Sequence, residues 1–185
     1  MVREDTQLRR PRSWPHDDRL QRLAQRIRSL AQTDERRLRR AREVEAARRT
    51  AARDLHAVCA DFVEAVNGAL EDRLVLLDPP EYSAAAYSDV SPNLLQINVH
   101  GRILQVTYSA TAELISTEDF RIPYILEGSV RAFNQEMLAK DLIEEQPLFY
   151  TMEGNHNMWR YFDARTYRSG PFDREYLISL MEQIL

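Results

Sequence analysis

Four histidines, at 16, 56, 100 and 156, and a single cysteine, Cys59, are the side chains of this sequence best suited to metal binding or nucleophilic chemistry. Only His56 and Cys59 stand close, three apart on what reads as a helix, so they share one face. A zinc site needs further ligands, and no other Cys or His follows nearby. The pair is therefore read as a histidine beside a buried thiol, and no metal or cofactor is expected. The acid pairs Glu118–Asp119, Glu144–Glu145 and Asp173/Glu175 carry groups fit for acid–base work. Each falls in a loop, at a helix end or at a helix start, where acids are structural. Five glycines in 185 residues nearly exclude a Gly-rich phosphate cradle, and no nucleophile elbow or zinc-protease helix is present. No catalytic residue is assigned, and the balance tilts away from an enzyme.

Two clusters could bind rather than react. In "WRYFDARTYRSG" (159–170), Trp159, Arg160, Tyr161 and Arg165 combine rings and cations that could stack on a base or hold an acidic group. The competing reading puts Trp159 and Tyr161 in the core and pairs Asp163 with Arg165 in a turn. The second cluster is "ERRLRRAREVEAARRTAARDL" (35–55), with eight arginines against four acids. On a helical projection Leu38, Ala41, Val44, Ala51, Ala52 and Leu55 fill one arc of about 140°. Arg36, Arg39, Arg40, Arg42 and Arg49, with Arg53, spread over the remainder and form no narrow ridge. Three readings follow: a solvated face, a surface for an acidic protein, or a grip on nucleic-acid phosphate.

The element that positions these arginines is a long helix. Neither glycine nor proline occurs from Asp17 to Asn67. Ser13 or Asp17 is placed to cap the start, and Pro15 suits an early helical position. Written in sevens, one seam position holds Leu20, Ile27, Asp34, Ala41, Arg48, Leu55, Phe62 and Ala69. Its partner holds Leu23, Leu30, Arg37, Val44, Ala51, Val58 and Ala65. The seam is apolar at both ends, while Asp34, Arg37 and Arg48 interrupt its middle. A break at "QTD" (32–34), with Thr33 as a second cap, is one option. If continuous, the helix reaches about 80 Å at about 1.5 Å per residue, too long for one small domain to cover. It must break and fold back, or find a partner.

Beyond it the pattern changes. Pro79–Pro80 cannot continue a helix, and "LVLL" (74–77) reads as a short strand or a last turn. "NLLQINVHGRILQVTY" places His100–Gly101 between alternating runs, as a two-residue hairpin does. Pairing Val99 with Arg102 puts Ile97 opposite Leu104 and Leu95 opposite Val106 on one greasy face, with Gln96 opposite Gln105 on the other. "EDFRIPYILEGSVRAF" suggests two strands turning at Glu127–Gly128. Asn134 is placed to cap a short helix with Met137, Leu138 and Leu142 on one face, ended by Pro147; a longer helix from Ser129 is the alternative. "PLFYTMEGNHNMWRYFD" reads as a hairpin with Gly154 to Asn157 as its loop, which sets Phe149 against Phe162, Tyr150 against Tyr161 and Met152 against Trp159. Both faces of that hairpin are aromatic, implying cover on both sides or an exposed platform. A closing helix starts at Pro171 or Asp173 and carries Tyr176, Leu177, Leu180, Met181 and Ile184 on one stripe.

The expected fold is thus α+β: a flexible tail (1–16), a basic amphipathic helical arm (17–72), and an acidic body (73–185) with an antiparallel sheet of about five to six strands, a short helix and a C-terminal helix. Charge follows a similar split. Residues 1–56 hold 16 arginines and 9 acids, net +7, and residues 57–185 hold 9 basic and 20 acidic side chains, net −11. No apolar run is long enough to span a bilayer, the amino terminus lacks a signal-like core, and one cysteine excludes an intrachain disulfide. A cytoplasmic location is expected. The leading expectation is a non-enzymatic interaction or assembly module, pairing through Leu20, Leu23, Ile27 and Leu30 with another chain, by self-association or on an acidic surface. Nucleic-acid binding through the arginines is the alternative. A small-molecule pocket or enzyme in the α+β body is the weaker one.

Overall fold

The computed structural model of the chain describes residues 15–154 and 156–185. The tail expected over residues 1–16 and the cap at Ser13 lie outside them, apart from Pro15 and His16, which already belong to the first helix. That helix, α1, runs unbroken over Pro15–Leu70. Thr33 caps nothing: its hydroxyl donates to the Ser29 carbonyl at 2.9 Å, one turn back in the same helix. Glu71, in the left-handed region at φ 55, ends α1. Asn67 then clasps the departing chain, accepting from Val75 N at 2.9 Å and donating to Val75 O at 2.8 Å. The chain forms two compact units that meet at Glu43/Val44, within α1.

In the second unit seven strands form one antiparallel meander in sequence order. They are β1 (Val75–Asp78), β2 (Asn93–Val99), β3 (Arg102–Ile115), β4 (Tyr124–Phe133), β5 (Glu145–Glu153), β6 (His156–Asp163) and β7 (Arg168–Pro171). Two short helices complete it, α2 (Gln135–Ala139) and α3 (Arg174–Glu182). The α+β architecture matches expectation, with more strands than anticipated.

The β2–β3 hairpin has the register that alternation demands, Val99 opposite Arg102, Ile97 opposite Leu104 and Leu95 opposite Val106. His100 and Gly101 take φ 48 and 84, as a tight right-twisted turn requires, and Asn98 accepts from Gly101 N at 2.9 Å. The greasy face meets α1 through Ala51, Ala52, Leu55, Cys59 and Phe62, and α3 through Leu177, Leu180 and Met181, in one buried cluster.

Four expectations change. Glu127–Gly128 is not a turn, for β4 runs straight through it. Gly128 is there because a Cβ would lie 2.1 Å from the Thr107 carbonyl oxygen and 2.8 Å from Tyr108 Cα. Ser129 therefore starts no helix, and α2 begins after Asn134, whose side chain accepts from Met137 N at 2.9 Å. α2 is only one turn long, so Leu138 and Leu142 are exposed rather than packed. Pro147 ends no helix but sits within β5 opposite Ser129, just beyond the residues that β6 pairs, where its missing N–H costs no ladder bond. Finally, the β5–β6 hairpin closes two residues tighter than expected: Glu153 faces His156, and Tyr150 faces Trp159 rather than Tyr161. A shift of two keeps every side chain on its face.

Both aromatic faces of that hairpin are covered. Tyr150 and Trp159 join the helix-side core. On the other face Phe120 stacks on Phe149 at 4.4 Å and meets Phe162 edge-on at 5.5 Å, held there by the turn in which Phe120 N donates to Thr117 Oγ1 at 3.0 Å. At the C-terminus Asp173 caps α3, accepting from Tyr176 N at 3.0 Å, while Pro171 belongs to β7.

The close approach at Gly128 yields a direct expectation. Gly128→Ala should lower unfolding stability by about 2–3 kcal/mol through forced backbone displacement. Gly68→Ala, with nothing within 4 Å of the new methyl, should be neutral or slightly stabilising. Urea unfolding of both variants measures the difference.

Candidate functional site

The seam of α1 changes character along its length. Ala51, Leu55, Cys59 and Phe62 are buried, whereas Leu20, Leu23, Ile27 and Leu30 are 68%, 57%, 57% and 63% exposed. Leu38, beside that seam on the same apolar arc, is 61% exposed. Ala24 and Ala31, also exposed, widen the stripe between the larger residues. The apolar seam singled out by spacing is thus a continuous helical face offered to solvent.

The arginines around it divide. Arg49 is tied to Glu45 one turn back at 2.8 Å, and Arg53 meets its neighbour Asp54 at 3.3 Å. Among the described residues, no carboxylate lies within salt-bridge distance of Arg36, Arg39, Arg40 or Arg42, which are exposed. Arg48, the interruption in the seam, has a different task. Its guanidinium donates to the Thr111 carbonyl at the irregular part of β3 and lies 3.5 Å from the Asp89 carboxylate. Asp89 in turn accepts from the Tyr87 hydroxyl at 2.9 Å. A charge in the seam thus becomes a bolt between α1, β3 and the loop of residues 79–92.

That loop has two more ties to α1. His56 Nε2 stands 3.0 Å from the Pro79 carbonyl, and the Tyr82 hydroxyl donates to the Arg49 carbonyl at 3.2 Å. Between loop and sheet is a cleft of about 180 Å³ lined by His56, Tyr82, Ser88, Asn93 and Tyr108 among others. That is smaller than the roughly 300–1,000 Å³ usual for a ligand site. Sequence reasoning missed these contacts because they join residues tens of positions apart; a charge at a seam position was the only local signal.

The remaining candidates separate. Trp159 is buried with its indole N–H donating to the Ala51 carbonyl at 2.8 Å. Tyr161, on the same face, stacks on Tyr176 with centroids 4.1 Å apart and planes 7° apart. Arg160 is on the opposite face, 3.3 Å from Glu153, and exposed Arg165 pairs with Glu144 at 2.7 Å. The four do not converge on one surface. Glu145 is held by Arg131 at 2.9 Å, so both members of that acid pair are engaged. His100 is a turn residue. Burial pushes the Cys59 thiol up to about 12, so it is no nucleophile, and the His56 ring bonds a backbone carbonyl and lies against Tyr82. Among the described residues, no group of three or more His, Cys, Asp or Glu is arranged to hold a metal ion, and no helix is long and apolar enough to cross a membrane.

The fold and this surface define an α+β chain with an amphipathic basic helix. No protein-family model, curated protein or solved structure matches it.

Two outcomes follow from the burial chemistry. Arg48→Ala should cost about 1–3 kcal/mol, since it leaves the Thr111 carbonyl without its partner, while exposed Asp89 keeps water and the Tyr87 hydroxyl; thermal or urea unfolding reads this. Cys59 should resist a thiol-reactive disulfide reagent at pH 8 until the chain is unfolded. The unfolded thiol ionises from about its ordinary value of 9.0, the folded one only near 12. Between those values the unfolded state holds fewer protons, so stability is full below about pH 9 and falls as pH rises through the window. Tyr108 and Tyr176, raised chiefly by burial, act in the same direction. Unfolding free energy measured from pH 7 to 11 should decline only on the alkaline side.

Proposed function

We propose that this chain is a non-enzymatic interaction or assembly module whose basic helical arm pairs with another protein chain. One observation carries the reading: Leu20, Leu23, Ile27 and Leu30 have the spacing of a helix seam, yet each is more than half exposed. Covering a large aliphatic side chain is worth about 1.5–3 kcal/mol. A monomeric helix held in water without such cover is marginal. The arginine flanks add preference for an acidic partner surface, because complementary charge steers encounter and penalises wrong partners.

A second reading, nucleic-acid binding, is favoured by a separate observation: Arg36, Arg39, Arg40 and Arg42 are exposed and have no carboxylate within reach among the described residues. The two readings part on salt and on what is contacted. A photo-reactive residue in place of Leu23 of the full chain should give discrete protein adducts in cells, and one in place of Val90, fully exposed on the loop, should not. Mixed DNA and RNA should show no retardation at about 50 mM salt. Adducts to RNA, or retardation that collapses steeply with salt and is lost in an Arg36/Arg39/Arg40→Ala variant, would transfer the function to nucleic acid.

A further inference from the structure

We infer that the cleft between the loop of residues 79–92 and the sheet binds a small neutral aromatic molecule, one ring bearing a single hydrogen-bonding group. The cleft belongs to the second unit, and the pairing of the arm neither supports nor requires it.

The walls set the chemistry. Tyr82, Tyr87, Tyr108 and the His56 ring line the cleft together with Pro79 and Pro92. Rings of this kind favour another ring, met edge-on or offset. The lining residues include no carboxylate, ammonium or guanidinium. A charged ligand would therefore leave water without finding a counter-charge, which is costly. Volume bounds the size. At about 180 Å³ the cleft is too small for a cofactor, but an apolar cavity of about 150 Å³ takes up benzene. One ring with a short substituent fits.

Hydrogen bonding sets the orientation, because most polar groups of the wall are already engaged. Asn93 donates to the Ser88 carbonyl at 2.8 Å and accepts from Ser88 N at 2.9 Å. The Ser88 hydroxyl oxygen accepts from Val90 N at 3.2 Å and from Ser91 N at 3.0 Å. Tyr82 and Tyr87 donate to the Arg49 carbonyl and the Asp89 carboxylate, and His56 Nε2 faces the Pro79 carbonyl. Tyr108 differs. It is only 5% exposed, and among the described residues its hydroxyl has no hydrogen-bond partner; the bond from Asn93 goes to its backbone carbonyl. A buried hydroxyl costs stability unless something answers it.

The ring that carries this hydroxyl is fixed in place. Trp159 meets it edge-on at 5.3 Å. Burial, and after it the nearby Tyr82 phenol, push the Tyr108 phenol up, so it keeps its proton and can donate to a ligand. The loop is held to α1 by Arg48 and Asp89, by His56 and Pro79, and by Tyr82 and Arg49. A ligand therefore enters a site already shaped, with little ordering cost.

Amide NMR titration of the full chain with phenol, toluene and benzoate at pH 7 tests this. Phenol should give saturable shifts at residues 79–92, His56 and Tyr108, with a dissociation constant of about 0.1–1 mM for so few heavy atoms. Benzoate, ionised at that pH, should not saturate. Tyr108→Phe should weaken phenol about five- to tenfold and leave toluene unchanged or tighter. The same variant should unfold at or above the wild-type midpoint, since no protein group loses a partner. Absence of saturable shifts at residues 79–92 would leave the cleft to water and overturn the inference. So would benzoate binding as tightly as phenol, an unchanged phenol affinity in Tyr108→Phe, or a lowered midpoint in that variant.

Discussion

A helix cannot turn one part of its seam away from the rest, and that constraint governs this molecule. In α1 one helical seam is buried at Ala51, Leu55 and Phe62 and exposed at Leu20, Leu23, Ile27 and Leu30, with charged residues between the two apolar halves. The buried half explains itself, since it supplies one wall of the core. The exposed half keeps the residue types and spacing of a packed surface, which burial rewards and exposure does not. We propose that its explanation is a contact with another chain. Alanine at positions 24 and 31 points the same way, because small residues beside large ones suit close packing of helix on helix rather than solvation.

The second unit is fastened by polar contacts set into apolar surroundings. The indole N–H of Trp159 reaches the Ala51 carbonyl, and Arg48 reaches both Thr111 and Asp89. A buried polar group left unpaired costs about 1–3 kcal/mol, so each of these bonds also fixes a position. Trp159 sets how α1 lies on the sheet, and Arg48 sets the loop of residues 79–92 against α1. The arginine that looks like a flaw in the heptad is a designed-in fastening of the fold. Asp34 and Arg37, the other two interruptions, are exposed and bolt nothing within the described residues.

What was legible in the sequence was local. His100–Gly101 between alternating runs determines the β2–β3 register because any slip would turn Ile97 and Leu104 outward. Asn134 and Asp173 announce their helices by the N-cap bonds they accept. Gly128 and Pro147 misled because each is a punctuation residue used for a tertiary reason. Gly128 makes room for the Thr107–Tyr108 backbone on a neighbouring strand, and Pro147 occupies a place where no strand needs its N–H. β1 was legible only as a short strand or a last turn, and β7 not at all, because each is four residues and too short for a periodic signal. At the candidate site the seam was readable from spacing, whereas the separation of Trp159, Arg160, Tyr161 and Arg165 onto different surfaces was not, because it depends on strand parity and on the turn before β7.

Hydrogen exchange along α1 is the most direct test of the claim that its N-terminal seam is completed by another molecule. Amides of residues 18–34 should exchange fast in the dilute purified chain and slowly in concentrated cell extract, while those of residues 51–66 stay slow in both. Exchange over residues 18–34 that is equally fast, or equally slow, in both would contradict the account.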